Sequence, residues 1–289
     1  MFQIITDACC DLSADLLDKE KIACIPMFVE LEGKEYTDDL GRTFDDSWFL
    51  DQLKENKHPK TTQINVDRYM NFFRPYAKKG ISILYVGFSS GLSGSYESSL
   101  NAIELLKEEY PDFTVTSFDT KTASLGLGML VMEAARLQKE GRSLEETVQW
   151  LDICKEHLRF WFTVDDLKHL VHGGRVSKTQ AAIGGLLNIK PILNVDEKGQ
   201  LQSVDKVHGR KKALQRMVDE TIADLDLTIV NHFYIAYSGD EKALEKVSKQ
   251  LKQYYPETPI TRFPLGPTIA SHTGYGCIAL FSMGKTKRF

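Results

Sequence analysis

Apolar runs of strand length alternate with helix-period segments through the first half of this 289-residue chain. Strand patterns fall at Gln3–Thr6, Ala23–Glu30, Ile81–Phe88 and Thr114–Phe118. Helical patterns fall at Asp45–Lys57, Val66–Lys79, Tyr96–Tyr110 and Thr122–Glu140. A helix between two strands returns the chain to begin the next strand in the same direction, so this order predicts βαβ units and a mainly parallel sheet with flanking helices. Functional loops of such sheets gather beyond the carboxyl ends of the strands. The Thr6-Asp7 turn and the loop Ser89–Ser95 therefore line one crevice.

The second half reads differently. A helical pattern at Leu144–His157 leads into Phe160-Trp161-Phe162-Thr163, an aromatic run that starts a new core. Strands are expected at Ile192–Val195, Leu201–Val207, Phe233–Ser238, Thr261–Pro264 and Cys277–Phe281, and helices at Lys178–Leu187, Lys211–Ala223 and Glu241–Tyr254. The short polar connection Glu197-Lys198-Gly199-Gln200 makes an antiparallel hairpin of two of these strands. The expected class is α/β with two domains: residues 1–158, carrying the Ser93 loop on a mainly parallel sheet, and residues 159–289, an α+β domain carrying a loop around His272. A ligand is expected between them.

Apolar residues at 42%, charged residues at 26% and a net charge of -4 are those of an ordinary globular chain and argue against a dedicated nucleic-acid binder. The first residues lack a basic stretch followed by a long apolar one, and no run approaches ~18 apolar residues, so a cytoplasmic protein is expected. The five cysteines, Cys9, Cys10, Cys24, Cys154 and Cys277, show no zinc-type spacing. Reduced thiols, no metal and no cofactor follow as expectations. The basic end Lys285–Phe289 reads as a solvated terminus.

Ser89-Ser90-Gly91-Leu92-Ser93-Gly94-Ser95 stands between a strand and a helix and has the makings of an anion cradle. Glycine admits close approach, serine hydroxyls donate, and the helix start offers unpaired N–H groups. Further polar loops occur at Lys60-Thr61-Thr62-Gln63, His172-Gly173-Gly174-Arg175, His208-Gly209-Arg210 and Gly266–Gly276, which contains His272. Thr61 and Thr62 suit either helix capping or ligand contact, and His272 either a satisfied polar position or an anion donor.

These segments, in this order, resemble the DegV family. The supporting residues are Thr6-Asp7 with Asp11-Leu12, Thr61-Thr62-Gln63, Ser90-Gly-Leu-Ser-Gly-Ser95, Gly173-Gly-Arg-Val-Ser177, Lys190-Pro-Ile-Leu193, Gly209-Arg210 and Ser271-His-Thr-Gly274. The chain departs from the family pattern at Ile64 and Tyr275, where proline is common. The resemblance implies a non-catalytic carrier holding one long-chain fatty acid, with its tail in an apolar tunnel and its carboxylate at Thr61, Thr62, Ser93, Gly94 and His272. It further implies a fatty-acid kinase catalytic subunit as partner for acyl-phosphate formation and phospholipid synthesis, with Arg175 and Arg210 contacting that partner or the phosphate. Passing contact with a membrane surface fits the same role: about 0.8 kcal/mol per buried methylene, over roughly ten methylenes, is enough to draw a fatty acid from a bilayer. For the tunnel wall, Leu125–Met132 and Gly184–Ile189 serve equally as core helix.

The rival reading is a serine hydrolase using Ser93, His272 and an acid such as Asp119 or Asp165, in the chain order of an α/β-hydrolase. Gly91-Leu92-Ser93-Gly94-Ser95 breaks the Gly-x-Ser-x-Gly elbow at Ser95. A nucleotide-binding enzyme lacks its phosphate-loop motif here.

Overall fold

A computed structural model describes residues 2–177 and 188–288. The expected helix Lys178–Leu187, with Gly184 and Gly185, lies outside the described residues. In the first half, β1 (Phe2–Asp7), β2 (Ala23–Ile25), β6 (Ser82–Gly87) and β7 (Val115–Asp119) form a parallel sheet in the order β2-β1-β6-β7. The interleaved helices are α1 (Ala14–Lys19), α3 (Val66–Lys78), α4 (Ser95–Glu109), α5 (Leu125–Lys139) and α6 (Leu144–His157). Their starts are set by local chemistry: Asn65 Oδ1 accepts from Arg68 N at 3.0 Å to begin α3, and Ser143 with Glu146 forms a reciprocal capping box at α6.

A small antiparallel sheet was not expected from the pattern. The run Ala23–Glu30 breaks at Pro26: β2 stays with the parallel sheet, and β3 (Met27–Leu31) turns away to pair with β4 (Lys34–Asp38) and β5 (Lys60–Thr62). Proline cannot donate to a ladder, so it suits the corner between two sheets. A nine-residue helix α2 (Asp46–Lys54) lies between β4 and β5.

The mixed sheet of the second half runs β10-β9-β8-β13-β11-β12. Its strands are β8 (Leu158–Thr163), β9 (Ile189–Val195), β10 (Leu201–His208), β11 (Phe233–Tyr237), β12 (Ile260–Pro264) and β13 (Ile278–Met283), and the β11–β12 pairing is parallel. The expected hairpin is present: Asp196 Oδ1 accepts from Lys198 N and Gln200 N to fold the turn between β9 and β10. Alternation sorts the sheet's two faces. Ile278, Leu280 and Trp161 face helices α8 (Arg210–Ala223) and α9 (Glu241–Tyr254), whereas Phe160, Phe162 and Phe281 face the main core, their rings stacked with centroids 5.1 and 4.5 Å apart.

Two short helices, α7 (Lys168–His172) and α10 (Pro267–Thr273), follow β8 and β12 in the chain and pack on each other, and α10 also packs against β3 and β5 of the small sheet. Helix α10 is gripped from the first half. Asp11 Oδ1 accepts from Gly266 N and Asp38 Oδ2 from Thr268 N, each at 3.0 Å, and both carboxylates are buried. The β9–β10 turn closes the seam elsewhere: Ser89 Oγ donates to Gly199 O at 2.8 Å, and a Cβ on Gly91 would lie 2.3 Å from Lys198 O. The basic end is tethered rather than loose, since Thr286 bonds Asp224 and Lys287 pairs with Glu156. Among the described residues no helix is long and apolar enough to cross a membrane.

Asp38→Ala leaves the Thr268 and Leu40 N–H groups without their acceptor. It is expected to lower the unfolding free energy by about 1–3 kcal/mol, read as a lowered urea midpoint at unchanged m-value.

Candidate functional site

Where the small sheet and the mixed sheet meet beside the loop after β6, an apolar cavity lies between them. Met27 of β3, Phe88 beyond β6, Phe160 and Phe162 of β8, Leu201 of β10 and Ile269 of α10 wall it, so both halves of the chain contribute. The segment Leu125–Met132 does not line it. That stretch is buried in α5, where Gly128 packs on Cys10 and Leu12, and it serves as core. Polar groups collect on the cavity wall: Thr61, Gln63, Ser93, Ser124, Arg175, Thr268 and His272.

Thr61 and His272 come from positions 211 residues apart and bond at 2.9 Å between Oγ1 and Nε2. Thr61 sits on β5 opposite Val29, and helix α3 takes its cap from Asn65, so the capping alternative for the threonines does not hold. Strand alternation turns Thr62 the other way, and it is exposed and outside the cavity wall. The structure thus separates the two threonines that the motif placed side by side.

Burial pushes the His272 imidazole down to about 3, with the Arg175 cation and His169 adding to the effect. It is a neutral ring at any ordinary pH. Its Nδ1 is buried with no partner among the described residues and faces Gly173, where an added Cβ would lie 2.1 Å away. Among the described residues no carboxylate bonds this ring. Asp119 instead accepts from Ser90 N and pairs with Lys121, and Asp165 pairs with Lys190. A Ser-His-Asp relay is therefore not assembled around Ser93.

Ser93 lies at the turn into α4. Its Oγ accepts from Ser95 N at 3.2 Å and bonds Ser95 Oγ at 2.9 Å, so this N–H of the helix start is already used. Gly94 caps α4 and packs against Gln63. Ser95 Oγ also accepts from Ile64 N at 3.1 Å, tying the serine loop to the segment after β5. Ile64 is fully buried. Tyr275 turns its hydroxyl to Gly239 O at 2.7 Å, and so does not compete for His272.

The arginines part company. Arg175 lines the cavity, its Nε donating to Leu92 O at 3.2 Å and its Nη1 to Gly173 O at 2.5 Å, and it also borders an open polar groove of about 520 Å³ with Gly91, Asp196 and Gln200. Arg210 is half-buried, paired with Asp240 at 3.1 Å and donating to Gly276 O, and lines neither the cavity nor the groove. Ser124 is a wall residue that no sequence motif marked: it holds φ +55 and ψ -140 ahead of α5, a strained backbone for a non-glycine residue, beside Asp11. Its place follows from a backbone geometry that no side-chain pattern signals.

The DegV family model matches residues 1–285. A DegV domain-containing protein of Clostridium perfringens is 40% identical over 290 residues, covering 99% of this chain and 98% of the relative. Among solved structures, a fatty-acid-binding DegV family protein of Thermus thermophilus is 29% identical with TM-score 0.84, covering 98% of this chain and 99% of that one. A stearic-acid-binding protein of Eubacterium ventriosum is 26% identical with TM-score 0.88, covering 99% of each chain.

Gly173→Ala drives a methyl group into His272 and is expected to cost about 1–3 kcal/mol by overpacking, with the Thr61–His272 hydrogen bond broken in a crystal structure of the variant. Because His272 has its pKa lowered from 6.5 to about 3, the unfolded chain binds the extra proton first as pH falls. The stability advantage of the wild type over His272→Gln should therefore be full above pH 6.5 and shrink by about 1.4 kcal/mol per pH unit below it, as measured by urea unfolding across pH 7 to 4.

Proposed function

This chain belongs to the DegV family, and on that footing we propose that it binds a single long-chain fatty acid, tail in the apolar cavity and carboxylate beside Thr61, Ser93, Gly94 and His272. The observation that carries this reading is the meeting of an apolar cavity with a polar end in which the Thr61–His272 pair, the Ser93 loop and the Arg175 guanidinium converge. Relatives at 29% and 26% identity described as binding fatty acids support it. Burial of the acyl chain supplies most of the affinity, and the polar end sets which way the chain points.

In this reading Arg175, standing between the cavity and the open groove, is the cation that meets the carboxylate or its phosphorylated form. Arg210 holds α8 and the segment before β13 together and takes no direct part. The chain acts as a carrier: it presents the carboxylate through the groove to a separate kinase subunit and performs no catalysis itself. Support for that partner comes from the motif resemblance and from the lack of a nucleotide-phosphate loop in the sequence. The divide between the two domains is proposed at residue 158, where β8 begins the mixed sheet.

Native mass spectrometry of the purified protein, followed by denaturing extraction and lipid identification, tests the reading. One fatty acid per chain is the expected result. An unliganded mass that stays unchanged on adding fatty acid refutes it. Ser93→Ala should weaken binding of added fatty acid by about 1–3 kcal/mol, the cost of one lost hydrogen bond to a charged group.

A further inference from the structure

The polar groups on the cavity wall are not equally provided for. Thr61 is bonded to His272, Ser93 to Ser95, and Arg175 to the carbonyls of Leu92 and Gly173. Two hydroxyls differ: Ser124 Oγ and Thr268 Oγ1 have no hydrogen-bond partner among the described residues. Both oxygens are shut off from solvent, their residues are 1% and 3% exposed, and both residues line the cavity. A buried hydroxyl without a partner forfeits the hydrogen bonds it made to water in the unfolded chain, a loss that folded proteins rarely leave standing. Two of them on one apolar wall point to a ligand atom that meets them.

The two come from different halves of the chain and are brought to the same cavity by the grip on α10. Ser124 precedes α5 and stands beside Asp11, and Thr268 lies in α10, its N donating to Asp38 Oδ2 at 3.0 Å. The two carboxyl groups come together at Gly266, where an added Cβ would lie 2.9 Å from Asp11 Oδ1 and 3.5 Å from Asp38 Oδ2. Thr268 and His272 are four residues apart on one helix, a spacing that sets Cβ atoms about 5–6 Å apart. The spot therefore lies close to the polar end and not at the far end of a bound chain. With carboxyl groups rather than a cation behind it, it suits a neutral partner and not a second anion. Ser124 holds φ +55 and ψ -140, a backbone that glycine adopts without strain, so the hydroxyl is carried at a conformational cost.

We propose that Ser124 and Thr268 form a second polar subsite in the cavity, which selects fatty acids bearing a hydroxyl group close to the carboxylate, of the 3-hydroxy type. The inference rests on the fatty-acid reading and adds a substrate class to it. A hydroxyl both donates and accepts, so one ligand O–H donates to one wall oxygen and accepts from the other. A keto oxygen accepts without donating, and a methylene or a double bond does neither. The discrimination comes from the wall. An unsubstituted chain leaves both wall hydroxyls buried and unpaired, whereas the hydroxylated chain satisfies them and its own substituent together. A purely apolar wall would give the opposite order, since the ligand hydroxyl would lose its water and gain nothing. Ser124 and Thr268 meet the substituent and not the carboxylate, so they set specificity while Thr61, Ser93 and His272 set direction.

The test is native mass spectrometry of the intact protein with an equimolar mixture of tetradecanoic acid and 3-hydroxytetradecanoic acid, whose complexes differ by the mass of one oxygen atom. The wild type is expected to favour the hydroxylated acid about tenfold. In Thr268→Val, and in Ser124→Gly, which removes the hydroxyl and relieves the strained backbone, the ratio should fall to about one or below, whatever the change in affinity for tetradecanoic acid itself. Either variant decides the matter if the other fails to fold. In a second mixture, of dodecanoic and ω-hydroxydodecanoic acids, the wild type should favour the unsubstituted chain, because a terminal hydroxyl is carried past the subsite into apolar surroundings. Absence of a wild-type preference for 3-hydroxytetradecanoic acid, the result if a water molecule satisfies the two hydroxyls, overturns the subsite. So does a preference that persists in variants that fold, or an equal gain from the terminal hydroxyl. Failure of the wild type to bind any of these acids refutes the fatty-acid reading itself and the subsite with it.

Discussion

Two buried carboxylates hold the site together. Asp11 and Asp38 accept the backbone N–H groups of Gly266 and Thr268 at the start of α10, and the rest of the functional arrangement hangs from that grip. Helix α10 carries His272 in its last turn and Ile269 on its inner face, so a shift at its first residues would move both the polar end and a wall of the cavity. Burial raises the carboxyl groups of Asp11 and Asp38, and their closeness to each other raises Asp11 further. The fold tolerates this because the helix's unpaired N–H groups need acceptors and no water reaches them. Both acids come from the first half of the chain and the helix from the second, which makes the same bonds a domain seam.

The parallel sheet was legible because its strands are apolar runs with helices between them, and the mixed sheet because most of its strands are short apolar or aromatic runs bounded by polar turns. What escaped was polar or short. Strand β4, Lys34-Glu35-Tyr36-Thr37-Asp38, and strand β5, Lys60-Thr61-Thr62, are too hydrophilic to register as strands, and they exist because β3 offers them a backbone edge. Helices α7 and α10 have five and seven residues, below the length at which a helical period can be seen. Missing β5 had a cost at the site. Read as a loop, Thr61 and Thr62 look equivalent; placed on a strand, they must face opposite ways.

The site motifs themselves were legible, since glycine, serine and threonine clusters announce loops and the topology says where loops go. The partners of the arginines were not. Arg175 is fixed by Leu92, 83 residues away in sequence, and Arg210 by Gly276, 66 residues away, and nothing local distinguishes an arginine aimed into a cavity from one locked into a domain. Tyr69 and Tyr85 escaped for a related reason. Each fits its own element as an ordinary apolar position, and only the packing of α3 on β6 brings their hydroxyls together over Asp7.

Charge is scarce at the polar end, and that scarcity shapes the chemistry proposed for it. His272 is neutral, which leaves Arg175 as the full positive charge among the described residues of the cavity wall. A carboxylate held chiefly by neutral donors keeps its negative charge concentrated on the oxygens, where a strong ion pair would draw it off. Arg175 stands at the border with the open groove rather than deep in the cavity, so in the proposed reading its attraction draws the head group toward the mouth while the apolar wall holds the tail. The proposed carrier thus gives anchoring and presentation to different ends of its ligand. A carrier built this way can retain its ligand through the tail and still leave the reactive oxygen facing outward.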